Sequence, residues 1–210
     1  MGDDEAFAFA ERMGLEGYHC ASGDDGTVVF LEDGRVLKLT GNRLEAALCL
    51  SLMALQAGGH AHPAVPVIDA VYAHDGTVEL SPLADAVVPY RRYAILRESF
   101  DDIYEPSSGP DDYRRLAAAW ASGEARRLRP FREGRHGAQL ASVLSGLEWV
   151  LENTGFAMRD IRPSNVGESR LGIAGMRDLG RAEVDPALVE RLLAADIPPP
   201  FPEPVPAPGM

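Results

Sequence analysis

Two short stretches of this chain carry the residue types needed to handle phosphate and a hard metal ion. The first is Arg159-Asp160-Ile161-Arg162-Pro163-Ser164-Asn165, where a loop containing Pro163 sets a carboxylate and an amide oxygen side by side. Asp160 can accept a proton from a hydroxyl, and Asn165 offers a neutral oxygen ligand to a hard cation. The second is Asp178-Leu179-Gly180, preceded by Leu171-Gly172-Ile173-Ala174, which reads as a short strand. An aspartate after a strand, followed by a glycine that lets the backbone turn, supplies a second oxygen ligand for magnesium. Singly, Asp178 is an ordinary turn residue and Asn165 an ordinary loop amide. Together with Asp160 they favour a metal-and-phosphate role.

The elements that must position these loops are legible in the hydrophobic periodicity. Residues 138–152 predict a helix, with Leu140, Val143, Leu144, Leu147, Val150 and Leu151 on one stripe, stopped by Asn153-Thr154-Gly155. Upstream, Pro110 opens a helix through DDYRRLAAAWASGEARRLR, and downstream Asp185-Pro186 opens a last helix carrying Leu188, Val189, Leu192 and Leu193. The first half reads differently. Residues 3–13 form a short amphipathic helix ended by Gly14; TVVFLE and RVLKLT are strands joined by a two-residue turn at Asp33-Gly34. Asn42 begins a helix with Leu44, Leu48, Leu52 and Leu55 on one face, ended by Gly58-Gly59. PVIDAVYAH and TVELSPLA follow as strands either side of a turn at Asp75-Gly76, and residues 88–98 as a fifth.

Composition narrows the function classes. The 210 residues, 46% hydrophobic and 25% charged, are those of a globular protein with a real core. The net charge of -12 argues against a nucleic-acid binder and against attraction to an anionic membrane surface. An acidic protein binds phosphate only where placed cations or a metal reverse the sign locally. Cys20 and Cys49 read as reduced thiols, the start is acidic where a signal peptide is basic, and no apolar run approaches a membrane span, so a cytoplasmic location is expected. His60 and His62 lack a nearby third ligand and read as loop residues. Arg126, Arg127, Arg129, Arg132 and Arg135 form a basic run, which reads as a solvated helix face or a dock for an acidic partner.

RDIRPSN followed by RDLG resembles the catalytic-loop and metal-loop pair of the protein-kinase-like superfamily. The first half agrees in the same order. Ser22-Gly23-Asp24-Asp25-Gly26-Thr27-Val28 resembles the glycine-rich loop, VLKLT with Lys38 the third-strand lysine, and Glu45 its ion-pair partner on the next helix. HAHPAVPVIDAV resembles the following turn and strand, and YAILRE the strand leading to the hinge, so the likeness covers residues 18–185.

The resemblance implies an α+β, two-lobed kinase-like fold: an N-terminal lobe over 1–98 with an antiparallel sheet and one inserted helix, a reduced and mostly helical lobe over 99–196, and a proline-rich tail over 197–210. It implies ATP and Mg²⁺ as cofactors, with Gly23, Gly26 and Lys38 on the phosphates and Asn165 and Asp178 on the metal. Asp160 then orients or deprotonates the acceptor and Arg162 steadies the moving phosphate. Other roles stay open on the residues alone: Glu45 also completes a capping box with Asn42, Lys38 also fits a solvated strand, and Gly23 and Gly26 also fit a plain hairpin. Met158 and Arg162 stand where the family generally has His and Lys, and Leu179 replaces Phe. Only Arg181-Ala182-Glu183-Val184 separate the metal loop from Asp185 at the start of the last helix, so the platform that presents a peptide substrate is missing. Two functions follow: an ATP-dependent phosphotransferase acting on a small or loosely bound acceptor or on itself, or a pseudokinase, a nucleotide-gated or purely structural module that binds a partner.

Overall fold

In the computed structural model of the chain, residues 3–23, 26–79, 87–103, 107–195 and 197–200 are described. The architecture is α+β. Strands β1 (Gly17–Gly23), β2 (Gly26–Leu31), β3 (Arg35–Thr40), β4 (Ile68–Glu79) and β5 (Val87–Glu98) form one sheet in the order β1-β2-β3-β5-β4. β1, β2 and β3 are successive antiparallel neighbours. Around them the chain builds α1 (Asp3–Arg12), α2 (Arg43–Ala57), α3 (Pro110–Ser122), α4 (Ala125–Arg132), α5 (Ala138–Thr154) and α6 (Pro186–Leu193). Two small antiparallel pairs complete it: β6 (Ala157–Met158) with β9 (Ala182–Glu183), and β7 (Val166–Glu168) with β8 (Ala174–Met176).

The chain divides into two compact units. The first comprises residues 1–42, 71–96 and 196–210; the second comprises 43–70 and 97–195, so α2 belongs with the later helices. In the first unit, alternate residues Val29 and Leu31 of β2 are buried, as a half-buried strand requires. Phe9 and Ala10 of α1 are buried too. In the second unit, the α5 stripe of Leu140, Val143, Leu144 and Leu147 is at most 1% exposed, and α2 contributes Leu48 and Leu52. Arg43 of α2 reaches Glu190 of α6 at 2.8 Å.

Several local expectations need correction. The Asp33-Gly34 turn is a longer loop, Glu32–Gly34, because Gly34 takes φ +78° and its N–H bonds Leu31 O, while the Asp33 carboxylate takes the Arg35 N–H. Asp75-Gly76 makes no turn: β4 runs through it to Glu79. Of the strand expected over 77–84, residues 80–84 lie outside the described residues. The single helix expected after Pro110 is two, because Gly123 adopts a left-handed φ of +65° and caps α3 through Trp120 O. Leu171 and Gly172 are the turn of the β7–β8 hairpin, with Gly172 at φ +72°, and the strand starts only at Ala174.

Candidate functional site

Asp160, Arg162, Asn165 and Asp178 all lie in the second unit, on two loops tied together by the β7–β8 hairpin. The first loop leaves β6, turns through a short 3₁₀ segment at Pro163–Asn165, and enters β7. The second leaves β8, carries Asp178, and enters β9, which pairs back onto β6. Each end of the first loop is therefore pinned by a strand pair, and the Arg159 N–H adds a bond to Arg181 O at 2.8 Å. The indole of buried Trp120 donates to Met158 O at 2.7 Å, fixing the entry to the loop from α3.

The geometry centres on Asp160. Its φ of +45° makes it the one non-glycine with positive φ among the described residues, a conformation that costs about 1–3 kcal/mol unless the surroundings enforce it. Asn165 enforces it. Its Nδ2 donates to Asp160 O at 3.0 Å and to Asp160 Oδ2 at 2.9 Å, locking both main chain and carboxylate. With its amide nitrogen spent in this way, Asn165 presents its Oδ1 as the ligand end, although it is only 5% exposed. Arg162 approaches the same Asp160 oxygen at 3.2 Å and Arg181 at 3.8 Å, and both guanidinium groups are about half exposed. The Asp160 carboxylate thus sits between two solvent-facing cations.

Asp178 is placed by main-chain bonds. Its Oδ1 accepts the Gly180 N–H at 3.0 Å, and the preceding Arg177 N–H donates to Asn165 O at 2.9 Å. One amide oxygen and one carboxylate are hard ligands in the small number that magnesium takes from protein, its remaining positions going to water and phosphate. The residues fit that ion. Among the described residues no cluster of three His, Cys, Asp or Glu side chains that could hold a metal is found, here or elsewhere.

The remaining candidates divide between the units. Gly23, Gly26 and Lys38 belong to the first and Glu45 to the second. Gly23 pairs with Gly26 at the end of the β1–β2 hairpin; Asp24 and Asp25 lie outside the described residues. Gly26, at φ +137°, has a packing reason to lack a side chain, since a Cβ there would meet Leu39 O at 2.2 Å. Lys38 is buried opposite Val28, which removes the solvated-strand reading. Glu45 is fully buried, and the Asn42 N–H that a capping box assigns to it donates to Thr40 Oγ1 at 3.0 Å.

Sequence reasoning missed Arg97, Trp120, Arg177 and Arg181. The available signal was a cation or a lone indole in an otherwise apolar run, or an arginine flanking the metal loop. The basic run is spent internally: Arg126 and Arg127 pair with Glu124, Arg129 and Arg135 with Glu133, and Arg132 with Glu148. His62 receives the Ala64 N–H on Nδ1 and meets Ser145 Oγ with Nε2, while burial lowers its pKa, so both nitrogens are engaged. Exposed Glu183 has its pKa lowered by the hydrogen bond from Arg159. No helix among the described residues is long and apolar enough to cross a membrane.

No family model matches the chain, and no curated protein matches it. Among solved structures it is similar to WbdD, at 18% identity and a TM-score of 0.40, covering 81% of this chain; the chain spans about a third of that protein, 34%. It is also similar to an aminoglycoside phosphotransferase from Alicyclobacillus acidocaldarius subsp. acidocaldarius, at 13% identity and a TM-score of 0.37, covering 89% of this chain and 70% of the other.

Proposed function

We propose that this chain is a Mg²⁺-ATP-dependent phosphotransferase acting on a small or loosely held acceptor, or on itself. The observation that carries the reading is the Asp160–Asn165 clamp: a strained aspartate whose carboxylate is fixed by an amide and flanked by Arg162 and Arg181. Such a carboxylate is held ready to orient an acceptor hydroxyl and take its proton. Arg162 and Arg181 would hold the phosphate being transferred. When bound, magnesium supplies charge neutralisation on the phosphates, and Asn165 and Asp178 are the residues that would hold it. Lys38, Gly23 and Gly26 are the phosphate-binding candidates of the first unit, and Glu45 is a candidate of the second.

One observation favours the second reading, a pseudokinase-type module that binds a partner. The chain passes from Asp178-Leu179-Gly180 directly into β9 and α6, with no longer segment between them that could present a peptide. The phosphotransferase and a nucleotide-gated module require nucleotide and a purely structural module does not, so binding is the first test. At about 100 times Kd, Mg²⁺-ATP is expected to stabilise the fold by about 2.7 kcal/mol, a melting shift of about 5–10 °C. ATP with a chelator is expected to give much less. The absence of any shift at millimolar Mg²⁺-ATP would sink the phosphotransferase and the nucleotide-gated module, leaving the purely structural one. Labelled-phosphate transfer then separates enzyme from module.

A further inference from the structure

We propose that Arg97 and Arg177 are positioning residues that set the magnesium affinity of Asn165 and Asp178, an inference that rests on the function proposed above. Arg177 directly precedes Asp178, and its hydrogen-bonding groups reach three other segments. Its N–H donates to Asn165 O at 2.9 Å and its Nε to Ser164 O at 3.0 Å, tying it twice to the loop of Asp160. Its terminal nitrogen pairs with Asp102, and its carbonyl accepts from Arg97 at 2.7 Å. The peptide that leads into Asp178 is therefore held from the catalytic-loop side and from the 97–102 segment at once.

Arg97 is the unusual member. It is 5% exposed at the end of β5, and its second terminal nitrogen bonds Glu98 O at 3.3 Å. Its Nε is buried with no hydrogen-bond partner, and no carboxylate among the described residues pairs with it. A buried guanidinium spent on main-chain carbonyls is a poor device for stability, since an apolar side chain of similar volume fills the space without the desolvation cost. Its value lies in aiming one carbonyl. Magnesium demands near-ideal octahedral geometry, so a small displacement of the Asp178 carboxylate weakens metal binding before it weakens the fold.

The test is a Mg²⁺ titration of the full chain at fixed, saturating ATP, read as the midpoint of the melting shift, for wild type, Arg97→Met, Arg97→Lys and Arg177→Met. Loss of an outer partner of a metal ligand typically lowers metal affinity about 10–100-fold, so the midpoint is expected to rise by that factor in both Met variants. Arg97→Lys, which keeps one donor, is expected to recover part of it. The shift given by ATP with chelator is expected to match wild type. Unmoved midpoints, even with a lower melting temperature of the unliganded protein, would show a purely structural role and overturn the proposal. If Arg97→Met does not fold, Arg177→Met, whose side chain is 31% exposed, decides on the same readout. A wild type with no Mg²⁺-dependent shift removes the proposed function and this inference with it, whereas a wild-type shift with unmoved variants removes only the inference.

Discussion

Asp160→Asn is expected to lower phosphoryl transfer by about 10²–10⁴-fold while leaving the Mg²⁺-ATP melting shift intact. Asparagine is the right replacement because it tolerates the left-handed backbone at φ +45° and still offers an oxygen to Asn165 Nδ2. The loop keeps its shape and loses only the carboxylate. A group used mainly in the transition state affects turnover and spares ground-state affinity. Asp178→Ala, by contrast, is expected to lose both turnover and shift, because it removes a proposed metal ligand. Labelled-phosphate transfer from ATP, run beside the melting assay for wild type and both variants, separates the roles. Equal transfer by wild type and Asp160→Asn would leave the binding module as the surviving reading. Loss of the melting shift in Asp160→Asn would mean that Asp160 holds nucleotide rather than acceptor.

Gly175→Ala is expected to destabilise the protein by about 3 kcal/mol or more, enough to lower the melting temperature by about 6–12 °C. A Cβ at Gly175 would stand 2.0 Å from Ala64 O and 2.8 Å from the Phe100 ring. The nearest obstacle is main chain, so no rotamer change relieves it. Gly175 pairs across the hairpin with Gly167, where a Cβ would meet Phe100 O and Asp101 O at 2.8 Å. Gly41→Ala is the control: its Cβ meets nothing within 4 Å, and the change is expected to stay within about 1 kcal/mol. Chemical or thermal unfolding of the three proteins is sufficient. Equal stability of Gly175→Ala and wild type would mean that the hairpin is free to move away from Ala64.

The comparison of two identical dipeptides shows what the sequence could and could not disclose. Asp33-Gly34 and Asp75-Gly76 carry the same turn preference, yet only the first lies in a loop. At the first, the Asp33 carboxylate caps the Arg35 amide and Gly34 takes the positive φ that the turn needs. At the second, the chain stays extended through β4 to Glu79, so the dipeptide alone does not decide the turn. The α5 helix was legible because its apolar stripe repeats over several turns; the break at Gly123 was missed because the surrounding residues are all good helix formers. Within the site, the spacing set Asp160 beside Asn165 but did not disclose that the amide nitrogen would hold the aspartate. Arg97 and Arg177 were not legible, because their partners are carbonyl oxygens, which every residue possesses and no pattern marks.

The paired glycines at 167 and 175 have a consequence for how such a site diversifies. The hairpin that joins the two loops is fitted to its neighbours through bare main chain, so its tolerance for change is close to nil at these two positions whatever the chemistry outside. Arg162 and Arg181, about half exposed, are bound by no such restriction. Descendants of this chain are therefore free to drift at the rim, while the frame beneath stays fixed by the atoms it lacks.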